Sequence, residues 1–380
     1  MSRSPSYRGP VSERVLDRRE LNRATLARQL LLQRSTVPPL DAVEHLVGLQ
    51  AQVPQNPYVA LWSRLERFDP EVLSGLLVDR KVVRTVVMRA TIHLVSADDC
   101  RVLRPLCQPV LDGELARHRD HAPKLVSVDL APVLAFAAER LAARPLTLAQ
   151  LRSALAERFP DEDPSALALA CRNRLALVQV PPRGLWGRGA QVTVTTAESW
   201  LGAPLATHPS LDDVVLRYFG AFGPATVADV ATWSRLTALR EVVERLRPRL
   251  RTFRDESGRE LFDLPEGPRP DPDCPAEPRF LPEYDNVLLS HADRLRFLTL
   301  EERDRLAATT GPVHGTVLYD GRVVATWRTE QERAGAAVLV VNHAGRLDEA
   351  AAASIADEGR RLLQFLSGAS GHDLRFVALP

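Results

Sequence analysis

Gly223 to Leu264 reads GPATVADVATWSRLTALREVVERLRPRLRTFRDESGRELFDL. Thr226 is placed to cap a helix with Val227, Val230 and Ala231 on one face. A turn at Ser234 separates it from a second helix, Thr237 to Leu246, on which Leu239, Val242, Val243 and Leu246 are apolar. LRTFRDESGRELFDL then alternates around Glu256-Ser257-Gly258, a hairpin signal. With a preceding helix over Asp213 to Phe222, the order is that of a winged helix-turn-helix.

Working outward, the same architecture recurs without the same sequence. Pro145 to Phe159 and Ala166 to Leu175 predict two helices. Ala176 to Thr196 predicts a wing with its tip near Pro182-Arg183-Gly184. Nearer the N-terminus, LNRATLARQLLLQR, LDAVEHLVGLQ (opened by Pro38-Pro39) and EVLSGLLVDR predict helices, and the β-branched Val82 to Val95 predicts paired strands. An ordinary helical scaffold is the competing reading. Seven prolines between Pro265 and Pro282 favour extended chain and a boundary. Beyond them, an Asp320-Gly321 hairpin, the strand AAVLVVN, a helix over Glu349 to Leu366 and the strand DLRFVAL predict a small α+β or barrel-like cap.

The expected organisation is α+β. It comprises a disordered tail over residues 1–19, winged-helix units over 20–125, 126–205 and 206–265, a Pro-rich linker over 266–282, and a β-rich C-terminal domain over 283–380.

Composition narrows the function. Of 49 basic residues, all but Lys81 and Lys124 are arginine, which leaves few candidates for a Schiff-base lysine. Net charge is +1, so any nucleic-acid footprint depends on segregation: residues 1–40 hold eight arginines against Glu13, Asp17 and Glu20. The N-terminus has no apolar h-region and no window is long and apolar enough to span a membrane, so a cytoplasmic protein is expected. Cys100, Cys107, Cys171 and Cys274 lack zinc spacing and read as idle thiols. No phosphate loop, dinucleotide fingerprint, nucleophile elbow or zinc-deaminase signature occurs, so no cofactor and no metal are expected.

Four segments carry polar residues where chemistry needs them. Val43, Leu46 and Val47 form a helical stripe that Gln50 continues, bringing an amide to an apolar face; Gln52 follows, with Pro54 ending the helix. Either the chain is extended there and both amides face one cleft, or each caps backbone groups. In MRATIHLV, alternation sets Arg89, Thr91 and His93 on one strand face, as a solvent face or as a groove lining with Arg89 on phosphate. In LPEYDNVLLSHADR, Asp285, Asn286, His291, Asp293 and Arg294 surround an apolar run and suggest a hydrogen-bond hub at a junction. In PPRGLWGRG, Arg183 and Arg188 flank Trp186, which suits phosphate contact and stacking or the closing of a local core.

GLQAQVPQNPYVALWSR, RATIHLV, PPRGLWGR, GPATVADVATW, LPEYDNVLLSHADR and GTVLYDGRVVATWR occur in this order. Together they resemble the winged-helix DNA glycosylases of the AlkZ type, over roughly Leu21 to Arg328. The resemblance implies three tandem winged-helix units around a DNA channel with a β-rich C-terminal domain. It implies hydrolysis of the N-glycosidic bond of N7- or N3-alkylated purines in double-stranded DNA, in some members with unhooking of interstrand cross-links and self-resistance to a DNA-alkylating product. The family's two glutamines separated by one residue match Gln50 and Gln52; a sister branch has aspartate at the second position. Arg89, Thr91, His93, Arg183, Trp186, Arg188, Asp285, Asn286, His291 and Arg294 are expected to support the site or contact DNA. No obligate protein partner is evident, and a monomer is expected. The competing functions are a non-catalytic winged-helix regulator, against which the lack of a dimerising seam argues, and a drug-sequestering resistance protein.

Overall fold

The computed structural model describes residues 14–310, 314–331, 337–343, 345, 347–367 and 372–379. Three sheets organise the helices. Most of the tail expected to be disordered, residues 1–13, lies outside the described residues. The rest of that tail belongs to the fold: Val15–Leu16 pairs in parallel with Arg251–Asp255, adding a third strand to the hairpin Arg251–Asp255 and Glu260–Asp263. The helices preceding that hairpin are Leu211–Phe222, Val227–Ser234 and Leu239–Leu246. Thr226 and Asp229 form a reciprocal capping box at the start of the middle one. This is the order read from the sequence, with Val230, Trp233, Val243 and Leu246 buried against Tyr218 and Phe222.

The second sheet joins segments expected to be separate. Its six strands run Leu49–Gln50, Ile92–Ser96, Val82–Val86, Leu177–Gln179, Thr193–Thr196 and Leu146–Thr147. The strands of the first and second segments thus share one antiparallel ladder, through Arg84 opposite Gln179 and Thr85 opposite Val178. The reason is burial: a strand buried on both faces must pair its backbone N–H and C=O groups on both edges.

The third sheet has five strands: Arg279–Leu281, Gly315–Tyr319, Arg322–Gln331, Ala337–His343 and His372–Ala378. It is open, not a barrel. The helix Glu349–Ser367 makes the crossover to the last, parallel strand. Its first strand comes from the end of the Pro-rich segment, which is therefore no free linker: Phe280 and Leu281 are fully buried. Arg269, from the same segment, joins the buried pair of Arg28 and Asp263, whose guanidinium–carboxylate contacts are 2.8 and 2.9 Å. The first helix, Arg18–Arg28, bridges sheets in this way, since its Asn22 also donates to the Gly321 carbonyl at 2.7 Å. No helix among the described residues is long and apolar enough to cross a membrane.

Candidate active site

Gln50 is not on a helix. The helix Pro39–His45 stops early, and Val47 and Gly48 take positive φ of 54° and 91°. Gly48 is required there, because a Cβ would lie 2.7 Å from Val95 Cγ1 and 3.0 Å from the Leu94 carbonyl oxygen. The turn delivers Leu49–Gln50 as an edge strand, with Gln50 opposite His93 and Leu49 opposite Leu94. The strand ends at Gln50, Ala51 adds one more bond to the Ile92 carbonyl, and Gln52 lies in the bend that follows. Gln50 is buried and Gln52 exposed, so the pair runs from interior to surface. The capping alternative does not hold for Gln50.

Arg89 organises the centre. It lies not on a strand but in the connection Met88–Ala90, where Arg89 and Ala90 both take positive φ, 58° and 56°. Such backbone costs about 1–3 kcal/mol per non-glycine residue. The strain turns the guanidinium back over the sheet. Its Nη2 donates to Gln50 Oε1 at 2.8 Å and to Asn286 Oδ1 at 2.9 Å, with His93 Nε2 at 3.2 Å sharing one of these two hydrogens; Nη1 donates to the Trp233 carbonyl at 2.7 Å. Charge-assisted bonds of this kind offset the strain. Burial, and the nearby Arg235 guanidinium, push the Arg89 pKa down to about 10, which still leaves it a cation.

That cation settles two orientations. Arginine only donates, so Gln50 must turn its oxygen inward and its NH₂ outward. His93 must accept at Nε2, so Nδ1 carries the proton and donates to the Thr91 carbonyl at 3.1 Å. His93 is fully buried; burial first, then Arg89, lower its pKa to about 3. It is a neutral spacer, not a base. Thr91 itself bonds the Met88 carbonyl at 3.2 Å and closes the turn.

Asn286 ties the far segment to the glutamines, its Nδ2 donating to the Gly48 carbonyl at 3.0 Å. Asp285 is spent elsewhere: its carboxylate takes two 2.8 Å bonds from Arg64, and Oδ1 also caps Val287 at 3.0 Å. It is a structural clamp, not a water-activating carboxylate. His291 lies deep, with Nε2 3.0 Å from the Phe222 carbonyl oxygen, and burial lowers its pKa to about 4. Asp293 pairs with Arg259.

The remaining expected residues divide. Trp186 is half-buried and packs between Tyr58 and Phe365, with ring centroids 5.0 and 4.8 Å away, so it closes a local core. Arg183 turns to the Ala190 carbonyl at 2.8 Å. Arg188 and Arg294 are exposed. Cys100, Cys107 and Cys171 are buried, and burial lifts each thiol to about 12. Sequence reasoning missed Arg84, which donates to the Ala51 carbonyl at 2.8 Å. The signal was a lone arginine inside the run VVRTVV.

Two buried neutral histidines give the fold a pH dependence. Both pKa values are depressed on folding, so the unfolded chain binds more protons below pH 6.5. Stability is full above pH 6.5 and is lost as pH falls toward about 4 for His291 and about 3 for His93. The slope is about 1.4 kcal/mol per pH unit for each histidine. Urea midpoints are expected to fall between pH 7.5 and pH 4.5; equal midpoints would contradict the neutral burial.

A family model described as DNA glycosylase AlkZ-like matches residues 43–365. The chain is 26% identical over 332 residues to the interstrand DNA cross-link repair glycosylase of Streptomyces sahachiroi, covering 80% of this chain and 85% of that protein. The solved structure of Streptomyces sahachiroi DNA glycosylase AlkZ superposes with a TM-score of 0.75 at 24% identity, over 96% of this chain and 100% of that one. The fold is the same mixed α+β architecture, with which a three-winged-helix arrangement is consistent.

Proposed function

The chain belongs to the AlkZ-like DNA glycosylase family, and from that premise we propose that it is a monofunctional DNA glycosylase hydrolysing the N-glycosidic bond of N7- or N3-alkylated purines. The proposal extends to bulky adducts and interstrand cross-links, the latter named for its relative in Streptomyces sahachiroi. The observation that carries it is the pinned amide of Gln50, held by Arg89 beside a neutral histidine, with Gln52 exposed two residues on.

The chemistry suits this arrangement. The C1′–N9 bond of an N7-alkylguanine breaks with its electron pair leaving on a purine that is already cationic, so no acid is needed. The purine departs neutral; a water oxygen bonds C1′ and its proton passes to solvent water. Gln50 offers N–H donors and Gln52 an amide oxygen, a donor–acceptor pair suited to hold and orient one water. Neutral amides supply modest electrostatic help, so only activated bases leave at a useful rate. Arg188 and Arg294, exposed, are proposed phosphate contacts. The substrate is double-stranded DNA and the protein acts as a monomer, in repair or in self-resistance to an alkylating product.

The test is chromatography of bases released from an alkylated duplex. Alkylpurines are expected in solution, with unmodified guanine retained. No release, together with a footprint that follows sequence and not lesions, would overturn the proposal in favour of a winged-helix regulator.

A further inference from the structure

Arg84 sits in the strand Val82–Val86, between Ile92–Ser96 on one side and Leu177–Gln179 on the other. It is 1% exposed. Among the described residues no carboxylate pairs with it, and its Nε and Nη1 have no hydrogen-bond partner. Burial, and then the charge of Arg183, lower its pKa to about 10. The wall on the other side is tight: Gly184 has φ +98°, and a Cβ there would stand 2.9 Å from Arg84 Cδ. A buried cation without a counter-charge lowers stability, and a methionine of similar volume would avoid that cost.

What Arg84 does hold is informative. Its Nη2 bonds the carbonyl of Ala51, the residue between the two glutamines, at 2.8 Å. Ala51 stands opposite Ile92 by continuation of the register, and its N–H donates to the Ile92 carbonyl at 2.7 Å. In a regular antiparallel pair the Ile92 N–H would return the bond to the Ala51 carbonyl. That carbonyl is turned to Arg84 instead, and the Ile92 N–H meets Gln52 Oε1 at 3.4 Å. One guanidinium thus draws the strand out of its ladder one residue past Gln50 and leaves a backbone donor on which the Gln52 side chain rests.

Resting on the reading of Gln50 and Gln52 as the catalytic pair, we propose that Arg84 is a positioning residue: by taking the Ala51 carbonyl out of the strand ladder it sets the placement of Gln52 relative to Gln50, at the expense of stability. Without it the Ala51 carbonyl closes the ladder onto Ile92 and Gln52 loses its backbone donor.

The experiment measures single-turnover base excision, thermal midpoint and DNA affinity for wild type, Arg84→Met and Arg84→Lys, with Gln50→Ala/Gln52→Ala alongside. Arg84→Met is expected to lose about 10- to 100-fold in excision rate. Its DNA affinity should stay within about twofold and its midpoint at or above wild type, a combination a merely structural residue does not give. Arg84→Lys, keeping a donor for the Ala51 carbonyl, should recover part of the rate. Wild-type excision by Arg84→Met, a lowered midpoint, or a lysine variant no faster than the methionine one would overturn the proposal. If the double glutamine variant keeps its rate, the premise fails instead, and with it the catalytic pair.

Discussion

Asp285→Ala is expected to destabilise the protein by about 3–5 kcal/mol, the usual result of stripping one partner from a buried ion pair. Arg64 and Asp285 are both essentially without solvent contact, their side chains 0% and 1% exposed, and they share two 2.8 Å bonds. Removing the carboxylate leaves the guanidinium with only the Ala60 carbonyl and Gln29 Oε1 as acceptors, at 3.1 and 3.3 Å. It also uncaps the turn Asn286–Leu288, which begins at the asparagine that bonds Arg89. A fold holding about 5–15 kcal/mol in total feels this strongly. Denaturant unfolding measures it. An unchanged midpoint with lost excision would instead make Asp285 a catalytic carboxylate and contradict its assignment as a clamp.

Arg89→Ala is expected to slow excision by about 100-fold, the scale set by misplacing reacting groups by an ångström or so. The substitution releases the Gln50 amide, which is then free to rotate its oxygen outward, and removes the donor that fixes the His93 tautomer. It also frees Asn286 Oδ1 and the Trp233 carbonyl, so the end of the helix Val227–Ser234 and the turn Asn286–Leu288 lose their shared anchor. Arg89→Lys should rescue little, because an ammonium presents a point charge and not a planar fork. Single-turnover rates for the three proteins decide it; an Arg89→Ala rate within about twofold of wild type would remove Arg89 from the mechanism.

The third helix-hairpin segment was legible because its logic is local: Thr226 caps, Gly258 turns and the apolar spacing all act within a few residues. The glutamine pair was visible as a spacing, but Gln50 was set on the helical stripe, with extended chain kept only as one alternative for the pair. The helix ends because Gly48 must pass against Val95, a contact between distant strands that periodicity does not encode. The same holds for the shared six-stranded ladder, and for Asp285, whose partner Arg64 lies 221 residues away. Arg89 was visible as a polar residue in MRATIHLV, yet alternation put it on a strand. Its positive φ is accompanied by three long-range hydrogen bonds, to Gln50, Trp233 and Asn286, that its own type does not encode. For Trp186 the flanking arginines left DNA stacking and a local core both open; the aromatic neighbours it packs against, Tyr58 and Phe365, come from other parts of the chain.

The most direct measurement is single-turnover release of the base from a duplex carrying one N7-alkylguanine, by wild type and by Gln50→Ala/Gln52→Ala, with DNA affinity measured in parallel. The predicted result is a fall of at least about 10²- to 10³-fold in the double variant with binding retained. Excision at the wild-type rate by a double variant that still binds DNA would contradict the assignment of these amides as the catalytic groups.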